Sequence, residues 1–276
     1  MKHTLLILFI LFSVFVSAKK PDAEKILAEG KMLYTLDKAS LVATEHFLKL
    51  FPDDSENTNG YLSYLNGNEV ITLFYYFFDT TRIIARYHLT ATDPVKITGI
   101  PETKSLVPTE LENSLITMRE KAIEKIKVNK DGYYTYYKGV AFTLLPVINS
   151  HERVIYVLSG SKMEDVIILG NDYRIKFDEN NKYRGVERIH KSLIKLSVSS
   201  GIDTTQNATL HKHLISEVID PTDICTLLLY RNEVDWDLHY VMSKKYVSVF
   251  DLKNEKLAII KRKSWKKINS DKLDVQ

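Results

Sequence analysis

The sequence predicts an α+β fold, a mixed and antiparallel sheet with packed helices. Three observations lead there. A few stretches repeat apolar residues at three- and four-residue steps, the signature of helices with one buried face. Most of the remaining chain alternates apolar and polar residues with a period of two. Turn residues such as Asn66-Gly67, Gly170-Asn171-Asp172 and Asp178-Glu179-Asn180-Asn181 separate the alternating runs.

The elements follow in order. Lys2 and His3 precede an apolar run from Leu5 to Val16 broken only by Ser13, and Val16-Ser17-Ala18 offers small residues for cleavage. About 12 apolar residues are too few to cross a bilayer, so residues 1–18 are expected to be a secretory signal peptide. Export to a bacterial periplasm or the extracellular space follows. No later apolar stretch reaches spanning length, so no transmembrane span is expected after cleavage. Pro21 opens a helix expected to reach Leu36, with Asp22 and Glu24 early and Ile26, Leu27 and Leu33 on one side. Ser40 is read as the start of a second helix ending near Leu50.

Asn66-Gly67 between the apolar runs 61–65 and 69–78 signals a hairpin, because both turn residues tolerate positive φ. A third strand spans 82–90. Pro94, Pro101 and Pro108 then punctuate the chain. We place a boundary there, between a helical region with a small β-sheet (residues 19–108) and an α+β domain (residues 109–276). Thr109 and Glu112 form a capping box that opens a helix to about Lys127. Strands are expected at 133–138, 140–145, 153–159, 166–169, 173–177, 183–190, 193–197 and 209–214. A polar loop at 199–207 precedes the last of these. A helix at 222–232 and strands at 238–243, 246–251 and 256–261 complete the chain.

Composition narrows the function. The net charge of +3 predicts no nucleic-acid partner. The basic cluster Lys261-Arg262-Lys263 with Lys266-Lys267 reads as a solvated strand edge or tail. The single cysteine, Cys225, forms no internal disulfide and reads as a buried thiol. No phosphate-binding glycine loop or nucleophile elbow occurs.

The candidate chemistry lies in residues 210–230. Side chains alternate along a strand, so His211 and His213 share a face and form half a metal site. Asp223 begins the following helix, with Asp220 as its cap and Pro221 at the first helical position. Those residues also make an ordinary helix start. His190 could share a sheet with His211 and serve as a ligand or a partner behind one, but a lone strand histidine, like His151, reads first as a surface or hydrogen-bonded residue; Asp235 to His239 reads as a loop.

His211-Lys212-His213 followed by Asp220-Pro221-Thr222-Asp223 resembles the pattern of JAMM/MPN-type zinc metallo-isopeptidases. In that family a His-x-His pair precedes a Ser-x-x-Asp at a helix start. The resemblance covers the C-terminal part only, from Ser150 to Lys261. It implies that His211, His213 and Asp223 ligate zinc and that Glu152, ahead of a strand ending at Gly160, handles the zinc-bound water. Leu214 stands where the family has Pro, and Asp220 where it has Ser, which makes Asp220 the second catalytic candidate. The implied function is a metal-dependent amide hydrolase acting on a protein or peptide. The alternatives are a non-catalytic envelope binding scaffold that keeps the fold, and a strand whose histidines are structural only.

Overall fold

The computed structural model describes residues 21–76, 79, 82–198 and 208–273. The expected signal peptide and the 199–207 loop fall outside them. Among the described residues, no helix is long and apolar enough to cross a membrane.

Helix α1 (Ala23–Leu50) is one continuous helix, capped by the Asp22 carboxylate accepting from the Lys25 N–H. The two helices expected there are one for a local reason. Ser40 does not cap a new helix; its hydroxyl donates to Leu36 O at 2.9 Å, inside the existing one. Leu33, Leu36, Ala39, Ala43 and Phe47 form its buried stripe. Phe47 stacks on Phe74 with ring centroids 4.1 Å apart.

The first sheet holds β1 (Thr58–Asn66), β2 (Glu69–Tyr76), β3 (Ile83–Thr90), β4 (Asp93–Ile97) and β5 (Glu102–Leu106), all antiparallel. The expected hairpin turn is present, with Asn66 opposite Glu69 and Gly67 at φ 61°. Strand β2 is buried on both faces. Val70 and Phe74 pack with α1, while Ile71, Leu73 and Tyr75 pack with α2 (Glu110–Val128). Helix α2 starts with the expected Thr109–Glu112 capping box. Glu112 is fully buried, and its carboxylate also accepts from Arg86 Nε and Nη2, each at 2.8 Å.

The second sheet has the order β10-β9-β7-β6, formed by β6 (Val140–Ile148), β7 (Arg153–Ser161), β9 (Tyr173–Phe177) and β10 (Tyr183–Arg188). Its faces divide like those of β2. Val154, Tyr156 and Leu158 join the α1 core, and Ile155 and Val157 join Met118 and Ala122 of α2. The two sheets therefore lie between α1 and α2. Residues 133–138 are not the expected strand. Side chains satisfy their backbone instead of a ladder: Tyr134 N–H donates to Asn129 Oδ1 and Thr135 N–H to the Tyr173 hydroxyl.

Strand β8 (Val166–Gly170) pairs with β11 (Leu193–Ser197). The last sheet runs β12-β13-β14-β15, from β12 (Ala208–Lys212), β13 (Leu238–Met242), β14 (Tyr246–Asp251) and β15 (Lys256–Lys261). Only β12 and β13 are parallel, and α3 (Pro221–Tyr230) makes the crossover between them. The basic cluster starts on the last residue of the edge strand β15, Lys261, and continues into a helix, α4 (Arg262–Leu273), instead of an irregular tail. Helix α3 packs on α1 at Gly30, where an added Cβ would stand 2.6 Å from Ile224 Cβ. Nothing larger than a hydrogen fits between the two helices at that crossing. Gly30 therefore fixes how far the start of α3 stands from α1.

Candidate metal centre

Strand β12 and the two residues after it are inverted relative to an ordinary amphipathic strand. Thr209, His211 and His213 are buried, while Leu210, Lys212 and Leu214 are exposed. Burial of apolar surface cannot explain this orientation, because the apolar side chains are the ones left in water. Three polar side chains turned inward must find partners there, or leave costly unpaired groups.

They meet two other elements. The start of α3 brings Asp220 and Asp223, and the segment after β10 brings His190. Gly170 makes the second approach possible: it holds φ +84°, and a Cβ there would lie 2.4 Å from Ser192 O and 3.3 Å from His190 Cβ. His190, His213, Asp220 and Asp223 each offer one ligand atom, and these atoms all lie within 4.8 Å of one another. This group can hold a metal ion.

Within that group His213 Nε2 is 3.0 Å from Asp223 Oδ2 and His190 Nε2 is 3.2 Å from Asp223 Oδ1; His211 lies outside it, its Nε2 3.9 Å from Asp223 Oδ2. Ligands about 2.0–2.1 Å from a tetrahedral metal stand roughly 3.3 Å from each other. Yet Nε2 of all three histidines and Asp223 Oδ1 are buried without a hydrogen-bond partner among the described residues. His190, His211 and His213 also line, with Gly170 and Ser216, a small adjoining cavity of about 20 Å³ that neither Asp220 nor Asp223 borders.

The other ring nitrogens are supported from behind. His211 Nδ1 is 2.7 Å from Nε2 of His239, whose own Nδ1 is 2.7 Å from Thr209 Oγ1. His213 Nδ1 lies 2.8 Å from Val218 O. His190 Nδ1 lies 3.2 Å from Asp172 Oδ2, close but misaligned for a hydrogen bond. Asp172 is itself fixed by accepting from the Ser159 N–H. A carbonyl, a carboxylate or a second imidazole behind each ring is how proteins set the tautomer of metal-binding histidines.

The charges are strongly coupled. Burial opposes protonation of His190, but the Asp223 and Asp172 carboxylates outweigh it and raise its pKa well above the usual value. His213 is also raised, Asp223 overcoming burial. Burial pulls His211 down to about 4 against the attraction of Asp223. Fully buried His239 falls to about 3, through desolvation and then its neighbour His211. Burial pushes Asp223 up, but His190 and His213 hold it well below the carboxylate range. Asp220 rises to about 6, from burial first and Asp223 second. The pocket therefore favours positive charge beside Asp223, and protons and a metal cation compete for it.

Asp220 differs from Asp223 in its access. Its Oδ2 accepts from Ser216 Oγ at 2.7 Å, and 18% of its side chain is exposed. It borders a groove of about 400 Å³ with Tyr156, Arg174, Ile215 and Ser216. Asp223 is completely enclosed, and its Oδ2 accepts from the Asp220 N–H. Of the residues expected from sequence, His211, His213, Asp220 and Asp223 come together here. Glu152 stands at the β6–β7 turn, its N–H donating to Asn149 Oδ1 and its carboxylate 3.7 Å from Arg174 Nη1. His190, which the sequence offers as a ligand only as its second reading, belongs to the group; His239 behind His211 and Asp172 behind His190 are not read from the sequence pattern. The alternation that places Thr209 and His211 inward also faces them with β13, and it offered the one signal for His239. Compared with protein-family models, curated proteins and solved structures, the chain shows no match.

Proposed function

We propose that the chain is an exported zinc-dependent hydrolase of amide bonds. In this reading His190, His211, His213 and Asp223 hold the ion, and Asp220 handles the proton. One observation carries it: three buried ring nitrogens and a buried carboxylate oxygen, none with an aligned hydrogen bond, converge around Asp223, with an acceptor close behind each ring. The donor set suits zinc, which takes imidazole nitrogen and carboxylate oxygen in four-coordinate sites.

Zinc held there would polarise a carbonyl and bring the acidity of water near neutral pH. Asp220 stands at the rim between the centre and the groove, where its carboxylate accepts a proton and passes it to the leaving amine. Ser216 fixes that carboxylate by donating to Oδ2. Arg174, paired with Glu187 and Glu152, forms part of the groove wall that a peptide would meet. Glu152 thus acts through Arg174 in this account, and the JAMM-like pattern contributes its two histidines and Asp223. An ion with a purely structural role needs no access, whereas Asp220 opens to the groove, which favours catalysis over a scaffold. The N-terminal sequence supports action outside the cytosol.

The test is cleavage of a peptide library by the mature protein, with and without a chelator, beside Asp220→Asn. The expected result is chelator-sensitive amide cleavage that the variant loses by about a hundredfold or more. Cleavage unaffected by both treatments would overturn the proposal.

A further inference from the structure

Asp37 sits in the middle of α1 with only 6% of its surface exposed. Among the described residues no donor hydrogen-bonds to its carboxylate and no cation pairs with it. Burial alone accounts for its raised pKa of about 6. It caps no helix, and aspartate is a poor residue for a helix interior. A carboxylate this deeply buried is costly to charge, and no cation among the described residues offsets that cost.

Asp37 lines a cavity of about 180 Å³, together with the exposed Leu41. Thr226 and Tyr230 of α3 line it, together with Leu158 of β7, Ile168 of β8 and Leu229. Thr143, Ser159 and Ser161 line the same space, so the walls mix apolar and hydroxyl-bearing side chains, with one aromatic residue and Asp37 as the one acid. The cavity shares no lining residue with the metal centre. A cavity of about 150 Å³ accepts a ligand the size of benzene, so roughly six heavy atoms fit here. The chemistry that satisfies both parts is a cation at one end and a short hydrocarbon at the other.

We propose that this cavity binds a primary alkylammonium ion. The ammonium group pairs with Asp37, and the tail packs on Leu158, Ile168 and Leu229. The Tyr230 ring adds an attractive wall for the cation. The site is independent of the hydrolytic centre and requires no metal.

The probe is n-pentylammonium, with n-pentanol as the neutral ligand of equal size. Both are titrated calorimetrically into the full mature protein, with and without a chelator. Saturable binding of the amine is expected, about tenfold or more tighter than the alcohol and insensitive to the chelator. The isosteric Asp37→Asn variant, its fold checked by circular dichroism, is expected to lose that preference. An amine that binds wild type no better than the alcohol would overturn the proposal without any variant. So would equal amine affinity in Asp37→Asn and wild type.

Discussion

Replacing His239 with phenylalanine isolates the support behind the metal ligands from the ligands themselves. For His211 Nε2 to offer its lone pair outward, its proton must sit on Nδ1 and be donated to His239 Nε2. His239 must then donate from Nδ1 to Thr209 Oγ1. Both contacts are 2.7 Å and His239 is fully buried, so His239→Phe keeps the bulk and removes both. His211 Nδ1 and Thr209 Oγ1 are left unpaired at about 1–3 kcal/mol each, so about 2–6 kcal/mol of metal-free stability should be lost. Metal affinity should fall about 10–100-fold, or about 1.4–2.8 kcal/mol, the usual effect of deleting such a support. His239→Gln can still accept from His211 and should recover part of that affinity. Urea denaturation with chelator measures the first quantity, and zinc competition against a chromophoric chelator the second. A His239→Phe protein that binds zinc as tightly as wild type would refute the assigned role.

Two further outcomes follow from the packing. Asp37 carries a folded pKa of about 6 against an ordinary 3.8, so the unfolded chain releases its proton first as pH rises. Between about pH 4 and pH 6 the folded state binds more protons, and stability falls with rising pH by up to about 3 kcal/mol. Asp37→Asn should therefore be more stable than wild type at pH 7.5 by up to that amount and no more stable at pH 4, read by denaturant melts at each pH; a pH-independent difference would contradict it. Gly30→Ala would put its Cβ 2.6 Å from Ile224 Cβ and 3.0 Å from Pro221 O. That overlap should cost about 1–3 kcal/mol and, by displacing the start of α3, weaken metal binding; unchanged stability and affinity would show that the helices yield freely.

Features set by neighbouring residues were readable in the sequence. The Asn66-Gly67 turn, the Thr109–Glu112 box and the start of α3 each follow from chemistry within four residues. Strand alternation likewise put His211 and His213 on one face. The rest depends on contacts the sequence does not display. His190 reaches the centre because Gly170 leaves room for its segment. His239 reaches it because β13 runs parallel to β12, placing Thr209 opposite His239. Ser40 looked like a helix start because serine caps well, but the Ser63 hydroxyl 2.7 Å away gives its side chain a place inside the core. The Tyr-rich stretch at 133–138 has strand composition, yet Asn129 and Tyr173 take its backbone donors.

The most direct measurement is the metal content of the purified mature protein after exhaustive dialysis against metal-free buffer, beside a His211→Ala/His213→Ala variant. About one equivalent of bound divalent ion is expected in wild type and almost none in the variant. Acidification should release the ion, as His213 and His190 take up protons beside Asp223. Equal metal content in the two proteins would contradict the metal assignment.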